Sequence, residues 1–532
     1  MRIQRLRKIV FSSALGSGSL LVAAFGMGSL SLHAQRDQKE RPAWLASVYA
    51  HVMHAPLPTM RTGDGQVRTI LPYQLDADAS GIEGTVSNNG VVPPGSNPFF
   101  QSLGSNGRSC ATCHQPATGM SLSLDAIQSR YRATGGFDPL FAPVDGANCP
   151  DSVLKHGAGR SISDEKNPHS LLLNRGVFRV ALPWPPKGVT PEFAIEVLND
   201  PAGCENNSVY GLSSSNPMIS VYRRPLMASN LKYITTPGIG LSTKDPRTGL
   251  PMPIDFYTGE SQTGNIMFDG REPSLQSQAF DATMTHAQAK EAPSDEVVQK
   301  IVDFENGLFS AQIFDNKAGV LTADGAFGGP AAMASQHAGL IAAPATFSEY
   351  ASWANLSFSA ERRAQRESVA RGEAIFSSRT FLISNVAGLN DVPVIGNNLH
   401  GTCASCHNTT DSGNDIFVMS QRDIGVSGDH PAAYLAPDLP LFRLTCVAGK
   451  TTSFHGSSVV VRDPGRALLT GKCSDIGKLK APQLRALPAR APYFHDGSAR
   501  SLREVVEFYN QRFSIQFSDQ EKEDLINFLG TL

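Results

Sequence analysis

Cys110-Ala-Thr-Cys113-His114 and Cys403-Ala-Ser-Cys406-His407 repeat one pattern: two cysteines three apart, followed at once by a histidine. C-x-x-C-H is the attachment pattern of a c-type haem. Thiols at that spacing reach the two vinyl groups of one porphyrin and form thioethers. The adjoining imidazole then lies beneath the ring and ligates the iron. What occupies the opposite face decides whether such a site handles dioxygen or peroxide, or only passes electrons. Half of a zinc site also uses a C-x-x-C pair, but that reading leaves the paired histidines unexplained. The spacing predicts two covalently bound haem c groups, one on Cys110, Cys113 and His114 and one on Cys403, Cys406 and His407.

The rest of the composition says where such chemistry would run. Among 532 residues the charged ones are 18%, and the formal net charge is −2, so there is no basic field to attract nucleic acid. Arg2, Arg5, Arg7 and Lys8 precede an apolar run from Ile9 to Leu32, and Leu32-His33-Ala34 is a passable cleavage site before Gln35. Residues 1–34 therefore read as a cleaved signal peptide, with an uncleaved anchor as the alternative. The expectation is a periplasmic protein with no stable membrane insertion after cleavage. Export suits the four cysteines left over, Cys149, Cys204, Cys446 and Cys473, which read as disulfides in an oxidising compartment. Three pairings are open; the simplest joins Cys149 to Cys204 and Cys446 to Cys473.

The elements that must position the motifs read as mainly helical. Residues 35–95 form an extension with no clear motif; Ala43 to His54 suits a short amphipathic helix, and His51 and His54 read as surface histidines. A first haem domain spans 96–345. Within it, 175–260 reads as a long Pro/Gly-rich loop-and-strand stretch, because Pro183, Pro185, Pro186, Pro191, Pro217 and Pro225 forbid long helices. Ser294 caps a helix with Asp295 and Glu296 in its first turn, and Val297, Val298, Ile301, Val302, Phe304, Leu308 and Phe309 form its buried face. A second haem domain spans 346–532. It opens with a helix around Val369 to Phe376 and closes with a helix whose capping box is Ser518 and Glu521. Helix, haem motif and closing helix is the layout of a cytochrome c domain, so the predicted fold is mainly α, with two such domains.

Lys480-Ala-Pro-Gln-Leu-Arg485, Ala491-Pro-Tyr-Phe-His-Asp-Gly-Ser498 and Leu502-Arg-Glu-Val-Val-Glu-Phe-Tyr509 together resemble the bacterial di-haem cytochrome c peroxidase and MauG superfamily. Phe268-Asp-Gly-Arg271 with Gln276-Ser-Gln-Ala279 is similar to that superfamily's first-domain signature. The resemblance implies that the stretch 175–260 is an insertion in the first haem domain. It implies too that the haem on His114 handles peroxide or dioxygen and that the haem on His407 takes in electrons. Tyr509 falls where the peroxidases place an axial methionine and MauG an axial tyrosine. Ser501 and Glu504 cap its helix, and Leu502, Val505, Val506 and Tyr509 share one face, which turns the tyrosine inwards. The resemblance also implies a calcium ion, on the side chain of Asn167 or Asn174 and the carbonyls of Arg490 and Pro492; calcium accepts such oxygen ligands.

Departures from the pattern mark the first site. Phe268 stands where the superfamily has a tryptophan between the haems, and phenylalanine is much harder to oxidise. The superfamily's catalytic glutamate falls at Gln288, while Gln278 matches its neighbouring glutamine. A glutamine donates a hydrogen bond but cannot serve as the base that a carboxylate supplies. His286 is a candidate for that role or for a ligand of the first iron. His156 aligns poorly with a removable distal histidine, and His495 reads as ordering its loop. The leading expectation is an exported peroxidase reducing hydrogen peroxide with electrons from a small periplasmic donor, a cytochrome c or a cupredoxin. The alternatives are a MauG-like or rubber-oxygenase-like enzyme, acting on an organic substrate with peroxide or dioxygen, and a non-catalytic electron-transfer cytochrome.

Overall fold

The structure, a computed structural model, describes residues 69–157, 161–235, 266–335, 346–415, 421–428 and 430–532. The chain divides into two compact units between His54 and Ala55, and every described residue belongs to the second. The leader, the segment from Ala43 to His54 and the side chain of His156 lie outside the described residues.

Helices start where local caps put them. Helix α1 (Leu124–Thr134) begins on Ser123, whose hydroxyl accepts from the Ala126 N–H at 3.2 Å. Helix α2 spans Ser170–Arg175, and α3 (Leu275–Thr285) begins on Ser274, which caps Ser277 at 2.9 Å. Helix α4 (Asp295–Asn306) buries Val298, Ile301, Val302 and Phe304, as its spacing demands. It stops at Asn306, so Leu308 and Phe309 open the next strand instead of continuing the helix. In the C-terminal part, α5 (Arg363–Ser378), α6 (Leu502–Arg512) and α7 (Asp519–Leu529) pack around buried Phe347, Trp353, Phe376 and Phe528. Gly372 lets α5 and α7 touch: a Cβ there would stand 2.1 Å from the Asp524 carbonyl oxygen.

The expectation of a mainly α chain is corrected. Helix accounts for 31% and strand for 17%, in several small sheets. Strands β1 (Tyr73–Ala77) and β2 (Gly81–Ser87) form a hairpin inside the supposedly featureless extension. They continue into β6 (Leu308–Asp315) and β7 (Gly319–Val320) as one antiparallel sheet. All seven residues of β2 are buried, Glu83 and Thr85 among them. Burial on both faces removes the in–out alternation by which a strand is recognised.

The segment expected as an insertion carries β3 (Phe178–Pro183), β4 (Phe193–Asn199) and β5 (Met218–Arg223). β3 pairs with β5, but β4 pairs with β8 (Leu441–Cys446), which in turn pairs with β9 (Ser458–Val461). Phe193, Ile219, Val221, Phe442, Leu444 and Val461 form the core between them. Cys149 bonds to Cys204 and Cys446 to Cys473, whereas the four motif cysteines are unbridged. Beside this core Arg223 pairs with Asp463 at 2.7 Å and also with Asp269, which Arg271 holds at 3.0 Å. Burial alone would raise the Asp269 carboxyl; the charges of Arg271 and Arg223 outweigh it and hold that group ionised.

Candidate haem sites

Each C-x-x-C-H stretch folds as a single 3-10 turn, Cys110–Thr112 and Cys403–Ser405. The two turns are built alike. The Ser109 N–H donates to Thr112 Oγ1 and the Thr402 N–H to Ser405 Oγ, both at 3.0 Å. The N–H of His114 donates to the Cys110 carbonyl at 3.0 Å, and that of His407 to the Cys403 carbonyl at 3.1 Å. Each imidazole is then held from behind: His114 Nδ1 lies 2.8 Å from the Met120 oxygen and His407 Nδ1 2.7 Å from the Gly413 oxygen. A carbonyl only accepts, so Nδ1 must carry the hydrogen and Nε2 keeps its lone pair. Burial, the largest influence on both rings, lowers their pKa values and keeps them neutral. Two unbridged thiols beside a neutral, oriented Nε2 form the donor set that haem c requires, and the set occurs twice.

The first motif opens on a cavity. His114, Cys110 and Cys113 form one wall, Gln278 and His286 of α3 line another, and Phe268 and Lys480 reach in from elsewhere. Much of the remaining lining is apolar, including Phe178, Leu231, Ile234 and Leu275. His286 caps the C-terminus of α3, and its Nδ1 lies 2.5 Å from Asp145 Oδ2. Asp145 Oδ1 pairs with Arg108, and both of those side chains are buried. Burial would raise the Asp145 carboxyl, but Arg108 and His286 together outweigh it and lower its pKa.

Gln288 lies elsewhere. It has a left-handed backbone (φ 56°), is exposed, and accepts a hydrogen bond from the Asn106 amide at 3.2 Å. It is not among the residues lining the cavity. Of the three residues expected to do chemistry, the fold therefore brings Gln278 and His286 to the cavity and leaves Gln288 outside.

Two ionisable groups that carried no signal in the sequence do face this space. Glu305, near the end of α4, is 5% exposed; its Oε2 has no hydrogen-bond partner, and burial pushes its carboxyl up to about 8. Lys480 is equally buried, and burial pushes its ammonium down to about 7. Among the described residues no carboxylate pairs with Lys480, and a buried cation so placed suits a cofactor that carries carboxylates of its own. Glu305 falls in a helix read only for its apolar face, and Lys480 in a motif read only for its resemblance.

At the second motif, Tyr509 of α6 packs on the same apolar cluster as Cys403 and Cys406. Its ring stacks on Phe513 with centroids 6.3 Å apart and meets Phe508 at 5.3 Å. Burial, followed by the nearby Cys406 and Cys403, raises its hydroxyl pKa. His495 is 4% exposed; its Nε2 lies 3.5 Å from both Asp463 and Ser427, and its ring is 6.1 Å from that of Phe268.

Of the expected calcium ligands, Asn174 and Pro492 share a cavity and Arg490 does not line it. Asn174 and Pro492 line a second cavity together with Asp78, Thr118 and Gln128. Asn167 is turned away, its amide donating to Tyr131 Oη at 2.8 Å. The Arg490 carbonyl accepts from the Arg224 guanidinium at 2.8 Å, and Arg490 is not part of that lining. Among the described residues no cluster of three or more His, Cys, Asp or Glu side chains suits a metal ion. The residues present do not fit the expected ion.

Comparison with known proteins returns the resemblance that residues 480–509 announce. The chain is 31% identical over 144 residues to a cytochrome-c peroxidase of Denitromonas iodatirespirans, and 32% identical over 140 residues to one of Pseudomonas sp. strain SCT. Each match covers 24% of this chain, and 36% and 35% of the two relatives, so the chain spans about a third of their length. A cytochrome c551 peroxidase of Nitrosomonas europaea is 36% identical over 69 residues, 13% of this chain and 21% of that protein. Haem c is the cofactor such relatives imply. A solved MauG-like protein associated with microbial copper homeostasis is 18% identical, with a TM-score of 0.27 over 57% of this chain and 80% of its own, a likeness too slight to decide the fold. No family model matches the chain.

Proposed function

We propose that this protein is an exported di-haem peroxidase that reduces hydrogen peroxide with electrons from a small periplasmic protein, a cytochrome c or a cupredoxin. The observation that carries the reading is the repeated donor set, two unbridged thiols and an Nε2-presenting histidine, opening in one case on a cavity lined by Gln278 and His286. Haem, bound at each set, supplies the iron at which peroxide is reduced and through which electrons pass. Segment 96–345 would carry the peroxide-side haem, and segment 346–532 the electron-entry haem, with Tyr509 as its second axial ligand. The peroxidase names of the relatives support the same class, and the signal-like pattern of residues 1–34 supports the periplasm as its place.

Within the cavity, Gln278 would donate a hydrogen bond to peroxide and His286 would accept its proton. The apolar wall from Phe178 to Ile234 excludes water around them. The same wall favours the second reading, a MauG-like or rubber-oxygenase-like enzyme that oxidises an organic molecule. Steady-state assays separate the two. Peroxide-dependent oxidation of reduced cytochrome c or cupredoxin supports the first. Oxygen uptake with an apolar substrate, and no turnover with peroxide and donor, would replace it with the second.

A further inference from the structure

We infer that Asp145 is a positioning residue: it holds His286 with Nδ1 protonated, so that Nε2 faces the cavity as the acceptor for the proton that peroxide gives up. This rests on the peroxidase reading for its substrate, but not for its geometry. A carboxylate accepts hydrogen bonds and donates none, so a contact of 2.5 Å between Asp145 Oδ2 and His286 Nδ1 requires the hydrogen on Nδ1. In the neutral imidazole the lone pair is then on Nε2, the arrangement a general base needs.

The carboxylate is itself fixed. Arg108 pairs with its other oxygen while donating to the carbonyls of Pro139 and Leu140, each at 2.7 Å. Asn106 donates to the His286 carbonyl at 2.7 Å and fixes the backbone end of the ring. The charged and titratable groups that bear on His286 are Asp145, Arg108 and His114. Gln288, at the place of the superfamily's carboxylate, is exposed and outside the cavity, whereas the His286–Asp145 pair brings an oriented imidazole to its lining.

The proton balance closes. The O–H bond of the inner peroxide oxygen breaks and its proton goes to His286 Nε2. That proton would then pass to the outer oxygen, which departs as water, while two electrons from the reduced donor protein, delivered through the haem that the His114 set would hold, break the O–O bond. Two protons from solvent complete the second water, giving H2O2 + 2 e− + 2 H+ → 2 H2O.

Cyanide binding to the oxidised holoprotein tests this without turnover, because HCN must give up its proton as it binds. Stopped-flow association is compared for wild type, Asp145→Asn, His286→Gln and the double variant. Each single change is expected to slow association about 10²-fold or more, in line with the loss of a general base. The double variant should be no slower than His286→Gln, because the two residues act as one unit. Should the orphaned Arg108 prevent Asp145→Asn from folding, Arg108→Leu with Asp145→Asn removes that charge and serves in its place.

Wild-type rates in His286→Gln, additive losses in the double variant, or a wild type that does not bind cyanide would each overturn the inference. Cyanide kinetics that follow the pattern in a protein that does not consume peroxide would instead overturn the peroxidase reading and leave the positioning role standing.

Discussion

His114 and His407 owe their readiness as ligands to one hydrogen bond each, from Nδ1 to a carbonyl six residues on. Tyr509 stands beside the second pair of cysteines, and the axial-ligand assignment there is open to a direct check. In Tyr509→Phe the electron paramagnetic resonance signal of the second haem should change and its reduction potential rise, since a phenolate favours the oxidised iron. Unchanged signal and potential would remove Tyr509 from the ligand set.

Glu305 gives a pH dependence. Its folded pKa, about 8, lies above the ordinary 4.5, so the stability this group contributes is complete below about pH 4.5 and is lost as pH rises through 8. Each unit of displacement is worth about 1.4 kcal/mol. Glu305→Gln, neutral at every pH, should melt above wild type at about pH 8.5 and close to it at about pH 5; an equal difference at both would contradict the assignment. The attachment residues were legible because their chemistry is packed into five consecutive positions. Asp145 was not, because it meets His286 across 141 residues and sits in no motif.

Among the elements, those with local signals were legible and those built from distant pairings were not. Ser294, Ser501 and Ser518 each cap a helix through an N–H three residues on, a signal contained in one turn. The β1–β2–β6–β7 sheet gave no such signal, since β2 is buried throughout, and β4 finds its partner β8 in the other half of the sequence. A helix reading that ran through Leu308 and Phe309 followed hydrophobic spacing past Gly307, where the chain leaves the helix to start β6. The α5–α7 contact is the one most sensitive to a single atom. Gly372→Ala sets a methyl group against the Asp524 carbonyl and should lower stability by about 1–3 kcal/mol, the usual cost of overpacking. Chemical denaturation of the holoprotein measures it, and a neutral result would mean the helices part without cost.

The two halves of the chain meet through an apolar core, in which Phe193, Ile219 and Val221 pack with Phe442, Leu444 and Val461, and through polar contacts. Arg223 reaches Asp269 and Asp463, Arg175 pairs with Asp438 at 2.5 Å, and Gln483 donates to the Ser229 carbonyl at 2.9 Å. Arg224 joins the carbonyls of Leu122 and Arg490, at 2.5 and 2.8 Å, where a cation was expected. Treatment with a calcium chelator should therefore leave the melting temperature and the haem spectra unchanged; a drop in either, restored by calcium, would contradict this. Among the described residues no helix is long and apolar enough to cross a membrane. The central claim is that the haem on His114 is open to peroxide. Low-temperature electron paramagnetic resonance of the oxidised and half-reduced protein, before and after peroxide, tests it most directly. A high-spin ferric signal that disappears on adding peroxide is the predicted result, and two low-spin signals indifferent to peroxide in both states would contradict it.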